Sequence, residues 1–106
     1  MKAFRQGDVV LIPIDPPVAR GTMTPKKTRV VRRGEHGGVH QLADLHKAVI
    51  VEDKLENQLF GTYVKVAEPT ELVHTTGHKP IALDAGWYQV LIQRQFLDNS
   101  VQRVGD

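Results

Sequence analysis

The chain has 106 residues, of which 25% are charged and 41% hydrophobic, with a formal net charge of +2 and no cysteine. That length suits one domain with one core, and the lack of cysteine excludes disulfide and thiolate chemistry, leaving any metal to histidine and carboxylate. No window is apolar enough for a membrane span, and Met1 to Asp8 lacks the apolar run of a signal peptide, so a single β-rich domain over residues 1–106 in the cytoplasm is expected.

Short strands separated by turn residues are expected along the whole chain. Val9-Val10-Leu11-Ile12-Pro13-Ile14 is an apolar, β-branched run introduced by Gln6-Gly7-Asp8 and ended by Asp15-Pro16-Pro17. Pro13 suggests an edge or a bulge there. Residues 16–27 carry Pro17, Gly21 and Pro25 and read as a loop, 28–33 as a weak strand, and 47–52 as a firmer one. Residues 53–58 read as a turn and 59–66 as a strand with Phe60, Thr62, Val64 and Val66 on one face. Val51, Leu55 and Leu59 also recur every four residues, which leaves a short helix over 52–59 as an alternative. Strands follow at Glu71 to His74 and Pro80 to Leu83. After the turn Asp84-Ala85-Gly86, a long one runs from Trp87 to Phe96. The spacing predicts an all-β fold: a small barrel, roll or sandwich of short, mainly antiparallel strands, with Val9 to Ile14 and Tyr88 to Ile92 in the core.

Four of the five histidines fall in two His-x-x-x-His pairs, His36 with His40 and His74 with His78, with Glu35 and Glu71 just upstream. Imidazole suits both metal binding and proton transfer near neutral pH. On a helix this spacing would align both rings, as in zinc proteases. Gly37-Gly38 and Thr75-Thr76-Gly77 argue against helices, and neither pair carries the protease glutamate. The pairs therefore read as two loops that can meet, against the plainer reading of surface or structural histidines. Metal candidates are His40, His74 and His78, with Glu35 and Glu71 behind them and a divalent ion such as zinc as the cofactor.

The last strand puts Tyr88, Val90, Ile92, Arg94 and Phe96 on one face and Trp87, Gln89, Leu91, Gln93 and Gln95 on the other. Arg94 on a core-like face must be paired, with Asp8 or another carboxylate, or must reach a pocket where its planar fork grips an anion. Trp87 and Tyr63 offer stacking surfaces. Arg20, Lys26, Lys27, Arg29, Arg32 and Arg33 form a basic stretch without an acidic residue, suited to phosphate contact or to a solvated edge.

Arg5-Gln6-Gly7-Asp8-Val9-Val10-Leu11-Ile12-Pro13 resembles the opening of a family of small, largely uncharacterised bacterial and phage proteins. His78-Lys79-Pro80-Ile81-Ala82-Leu83, Gly86-Trp87-Tyr88-Gln89-Val90 and Gln93-Arg94-Gln95-Phe96 resemble its close. That family carries Gly-His-x-His in its middle and His-x-x-His-x-Pro-Ile later. Here Gly38 stands at the first central histidine position, and His74 and His78 have one extra residue between them. The resemblance implies a compact β-rich domain of phage or mobile-element origin and supplies no activity. The departures remove a ligand position that His36 can fill only if the loop refolds around Gly37-Gly38.

Two classes of function follow. The first is a binding protein that sequesters an anionic ligand such as a nucleotide, or blocks a host component, through His40, His74, His78 and Arg94 with Trp87 or Tyr63 stacking. The second is a small histidine-dependent metal hydrolase acting on phosphoesters. A nucleic-acid-binding accessory role through residues 20–33 is a third reading. Ser100 is the only serine, and no phosphate loop or complete metal signature is present, which favours binding over catalysis.

Overall fold

A computed structural model describes residues 2–34 and 37–92. The strands are β1 (Phe4–Gln6), β2 (Val9–Ile14), β3 (Thr22–Pro25), β4 (Val30–Arg33), β5 (Val39–Leu42), β6 (Ala48–Leu55), β7 (Gln58–Val66), β8 (Thr70–His74), β9 (Ile81–Leu83) and β10 (Gly86–Ile92). They form a six-stranded sheet in the order β1-β2-β10-β7-β6-β3 and a four-stranded sheet in the order β4-β5-β8-β9. Every strand pairing is antiparallel. Among the described residues no helix forms and the sheets do not close into a barrel, so the sandwich is the member of the expected set that is found. No helix of the described residues is long and apolar enough to cross a membrane.

One core lies between the sheets. Val9, Leu11, Ala48, Ile50, Val64, Val66 and Tyr88 enter it from the larger sheet, and Leu42, Leu72 and Leu83 from the smaller. Alternation produces this: on β2, Val9 and Leu11 are fully buried while Val10 and Ile12 are not. Each fully buried valine or leucine contributes about 1.5–3 kcal/mol over its exposed state. Pro13 falls where β1 has already ended, because β1 covers only Val9 to Leu11, so β2 there has a partner on one side only and tolerates a missing N–H.

Three expectations need correction. Residues 16–27 are not all loop, since β3 pairs along β6. The cause lies far away in sequence: the buried Asp53 carboxylate accepts the Arg20 and Gly21 N–H groups, both at 2.8 Å, and pins the chain to the edge of β6. Gly21 is required for that approach, because a Cβ there would lie 2.5 Å from the Lys54 carbonyl oxygen and 2.9 Å from the Leu55 nitrogen. Gly21→Ala is thus expected to detach β3, with faster amide exchange along residues 22–25, while the rest of the sandwich holds; unchanged protection would contradict this account.

The second correction concerns 52–59, which is a hairpin and not a helix. Leu55 and Leu59 are exposed, so their spacing marks no core face. The chain turns at Glu56 and Asn57, with Leu55 opposite Gln58. The third concerns Ile92, which is half-buried beside an open groove shared with Val31 and Phe60, while Tyr88 is buried in the core.

Candidate functional site

The site is built where the two sheets meet at one end. Gly7 takes φ 58°, which suits a two-residue hairpin turn with glycine first, and this turn carries Asp8. Gln6 at the end of β1 is buried and its amide nitrogen donates to the Leu72 carbonyl at 3.0 Å and the Lys79 carbonyl at 2.8 Å. These bonds fasten the β1–β2 hairpin to the smaller sheet. In that sheet His40 on β5 lies directly opposite His74 on β8. The loop after β8 brings in Thr76 and His78.

The result is an open cleft of about 200 Å³ whose lining includes Asp8, His40, His74, Thr76 and His78, together with Gly7, Gly34 and Gly38. The His40 and His74 ring centres are 4.3 Å apart, His74 and His78 4.6 Å, and His40 and His78 6.3 Å. The expected cluster of His40, His74 and His78 is therefore brought together by cross-strand pairing and a loop, not by the His-x-x-x-His spacing itself.

Hydrogen bonding assigns the rings different roles. Both Gln6 amide hydrogens are spent on carbonyls, so its Oε1 accepts, and His40 Nδ1–H donates to it at 2.9 Å. His40 Nε2 faces Asp8 Oδ1 at 3.1 Å, and Asp8 Oδ2 accepts Arg32 Nε–H at 2.8 Å. On His74 the order is reversed. The Thr76 backbone N–H donates to Nδ1 at 3.2 Å, so a neutral ring carries its proton on Nε2. That nitrogen lies against Gly38.

Gly38 shows how the departures from the Gly-His-x-His pattern fit together. A Cβ on Gly38 would run into the His74 ring and the Thr76 hydroxyl. The missing side chain at 38 and the lengthened 74–78 loop meet in space: the His74 ring fills the volume that a residue-38 side chain would enter.

Burial and the neighbouring His74 push His40 below the ordinary imidazole value, although Asp8 pulls the other way. Burial alone would raise Asp8, but the Arg32 hydrogen bond and charge, with His40 behind them, hold it below the usual carboxylate value. The sign for His40 follows from linkage: a folded-state value below about 6.5 means acid favours the unfolded chain, so its contribution is whole above that pH and is lost as pH falls through the lowered value. Chelator-treated protein should melt at a lower temperature at pH 5.5 than at pH 7.5, and His40→Gln should flatten that slope. An equal slope in the variant would contradict the assignment.

Other expected site residues lie elsewhere. Tyr63 and Trp87 pack edge to face, 6.3 Å between centres, with Lys65 Nζ 5.6 Å from the Trp87 ring. They do not line the cleft, because Trp87 alternates with the buried Tyr88 and so takes the other face of the sheet. Glu71 is exposed on β8 opposite Ala82, on a separate depression with Asp44 and Lys47. Glu35, His36, Arg94, Phe96 and Ser100 lie outside the described residues. Of the basic stretch, Arg20 sits over the Phe60 ring at 4.9 Å, Lys26 meets Glu52 at 3.4 Å and Arg32 holds Asp8. Lys27, Arg29 and Arg33 are exposed. Among the described residues no three histidine or acidic side chains converge, as they stand, to hold a metal ion. The sequence reading missed Gln6 and Thr76, saw Arg32 only as part of a basic stretch suited to phosphate, and saw Asp8 only as a partner for Arg94. The one usable signal was a glutamine and an aspartate flanking a turn glycine ahead of an apolar strand.

A family model described as a domain of unknown function (DUF8820) matches residues 5–93. The chain belongs to that family. The matched span includes every residue named in the cleft, from Gly7 to His78, so the site is part of the DUF8820 domain itself. No curated protein and no solved structure matches the chain.

Proposed function

We propose that this protein is a small binding module whose histidine cleft takes the anionic end of a ligand. One observation carries the reading: the Thr76 N–H bond to Nδ1 leaves His74 Nε2–H as a donor beside the cleft, with no hydrogen-bond partner among the described residues. Asp8 does not oppose an anion with its full charge, because Arg32 is already on it at 2.8 Å. Gly7, Gly34 and Gly38 add no side chain to the lining of the cleft. A cleft of about 200 Å³ is smaller than the roughly 300–1,000 Å³ of pockets that enclose whole ligands, so it suits a phosphate or carboxylate head group whose remainder stays outside.

Binding is favoured over hydrolysis because the sequence carries no phosphate loop and no serine nucleophile motif. Calorimetric titration with phosphate, small carboxylates and nucleotides tests the proposal. His74→Ala should weaken a hit by about 10-fold or more, since a hydrogen bond to a charged group is worth about 1.5–3 kcal/mol, while Trp87→Ala should leave it unchanged. Equal affinity in His74→Ala, or no saturable binding of any small anion, would overturn the reading.

A further inference from the structure

We propose that Asp8 and His40 form the fixed half of a divalent transition-metal site in this cleft, with His78 as the movable third ligand. The inference rests on the reading of the cleft as a ligand site and names a second species that it takes. Because Gln6 consumes the His40 Nδ1–H, a neutral His40 presents a bare lone pair at Nε2. That lone pair stands 3.1 Å from Asp8 Oδ1, with no donor between two acceptors. The contact is repulsive until a proton or a cation joins it.

The spacing suits a cation. Bonds of about 2.0–2.2 Å to nitrogen and oxygen put two ligand atoms of one metal roughly 3 Å apart at bond angles between octahedral and tetrahedral. Both donors are also held from behind, His40 by Gln6 Oε1 and Asp8 by Arg32 Nε–H, which is how the outer partners of a metal centre fix ligand orientation. His40 is almost wholly buried, so its ring cannot turn away.

His78 completes the set from the other side. Its Nε2 lies 3.1 Å from the place a Cβ on Gly7 would occupy, and His40 Nε2 lies 3.3 Å from the same place. Both nitrogens thus pack close against the Gly7 backbone, an approach that a side chain at position 7 would crowd. His78 is exposed and follows Gly77, whose φ is 135°, so its ring can swing toward Asp8 and His40 without disturbing a strand. That movement is needed, since the three donors do not converge as they stand. Two imidazoles and one carboxylate select zinc, cobalt, nickel or ferrous iron over magnesium and calcium, which prefer oxygen ligands. An anion bound to that metal would meet His74 Nε2–H, which lies beside the cleft.

The test uses tag-free, chelator-stripped protein titrated with cobalt by visible absorption and with zinc by calorimetry. The expected result is one saturable site per chain, taken by both metals in competition, weakened about 10-fold or more by His78→Ala and lost in Asp8→Asn. His78→Ala changes an exposed loop residue and so decides the matter even if Asp8→Asn fails to fold. No saturable uptake, or uptake unchanged in His78→Ala, overturns the proposal. Phosphate titrated into the stripped protein separates the two readings: phosphate binding without any metal uptake overturns the metal site alone, and metal uptake without anion binding supports the site and overturns the anion reading.

Discussion

Val64→Asp is expected to abolish the fold. Val64 is fully buried and sits on β7 between β10 and β6, opposite Tyr88 on one side and Ile50 on the other. An aspartate there has no donor to pair with and cannot reach water, and an unpaired carboxylate in an apolar site costs several kcal/mol. A domain of this size has only about 5–15 kcal/mol in total, and the variant also loses the valine's own burial. Circular dichroism should show the β signature gone and no cooperative melt. Ile92→Asp is the matched comparison. Ile92 is half-buried at the end of β10, so its carboxylate reaches solvent and the domain should still melt cooperatively. Similar behaviour of the two variants would mean that the core is misplaced.

Gly38→Ala is expected to separate site from fold. Gly38 is buried, yet its backbone conformation accepts alanine; the obstruction comes from the His74 ring and the Thr76 hydroxyl. Both are side chains at a strand end and in an exposed loop, so they can move more cheaply than backbone can. The methyl should push the His74 ring out of place and break its bond from the Thr76 N–H while both sheets survive. The melting temperature should change by only a few degrees, a shift worth about 1 kcal/mol, whereas affinity for the anionic ligand should fall as far as in His74→Ala. Undiminished binding would show that His74 does not face the ligand.

Strand positions were partly legible in the residues and the site much less so. The alternation of β7 and β10 marks the core face directly, because each strand's own period fixes it, whereas β2 is apolar throughout and its buried face, Val9 and Leu11, was not legible. β3 escaped notice because its cause is the Asp53 carboxylate, more than thirty residues further along the chain. The spacing of Val51, Leu55 and Leu59 suggested a helix only because two of the three are exposed hairpin residues carrying no packing information. The histidine pairs pointed to rings that do lie together, but for an incomplete reason: His40 and His74 meet as cross-strand neighbours, a register that no local spacing encodes. Gln6 and Asp8 were harder still, since their roles arise from contacts with β5, β8 and β4 that exist only once both sheets are assembled.

The most direct test of the cleft is the tautomer of each ring, read from long-range proton–nitrogen correlations on nitrogen-labelled, metal-free protein near pH 7.5. The predicted result is opposite protonation in neighbouring rings: His40 carrying its proton on Nδ1 with Nε2 bare, and His74 carrying its proton on Nε2 with Nδ1 bare. His74 Nε2–H is then the donor an anion needs, and His40 Nε2 the lone pair a cation needs. A doubly protonated His40 at that pH, or a His74 protonated on Nδ1, would contradict the account.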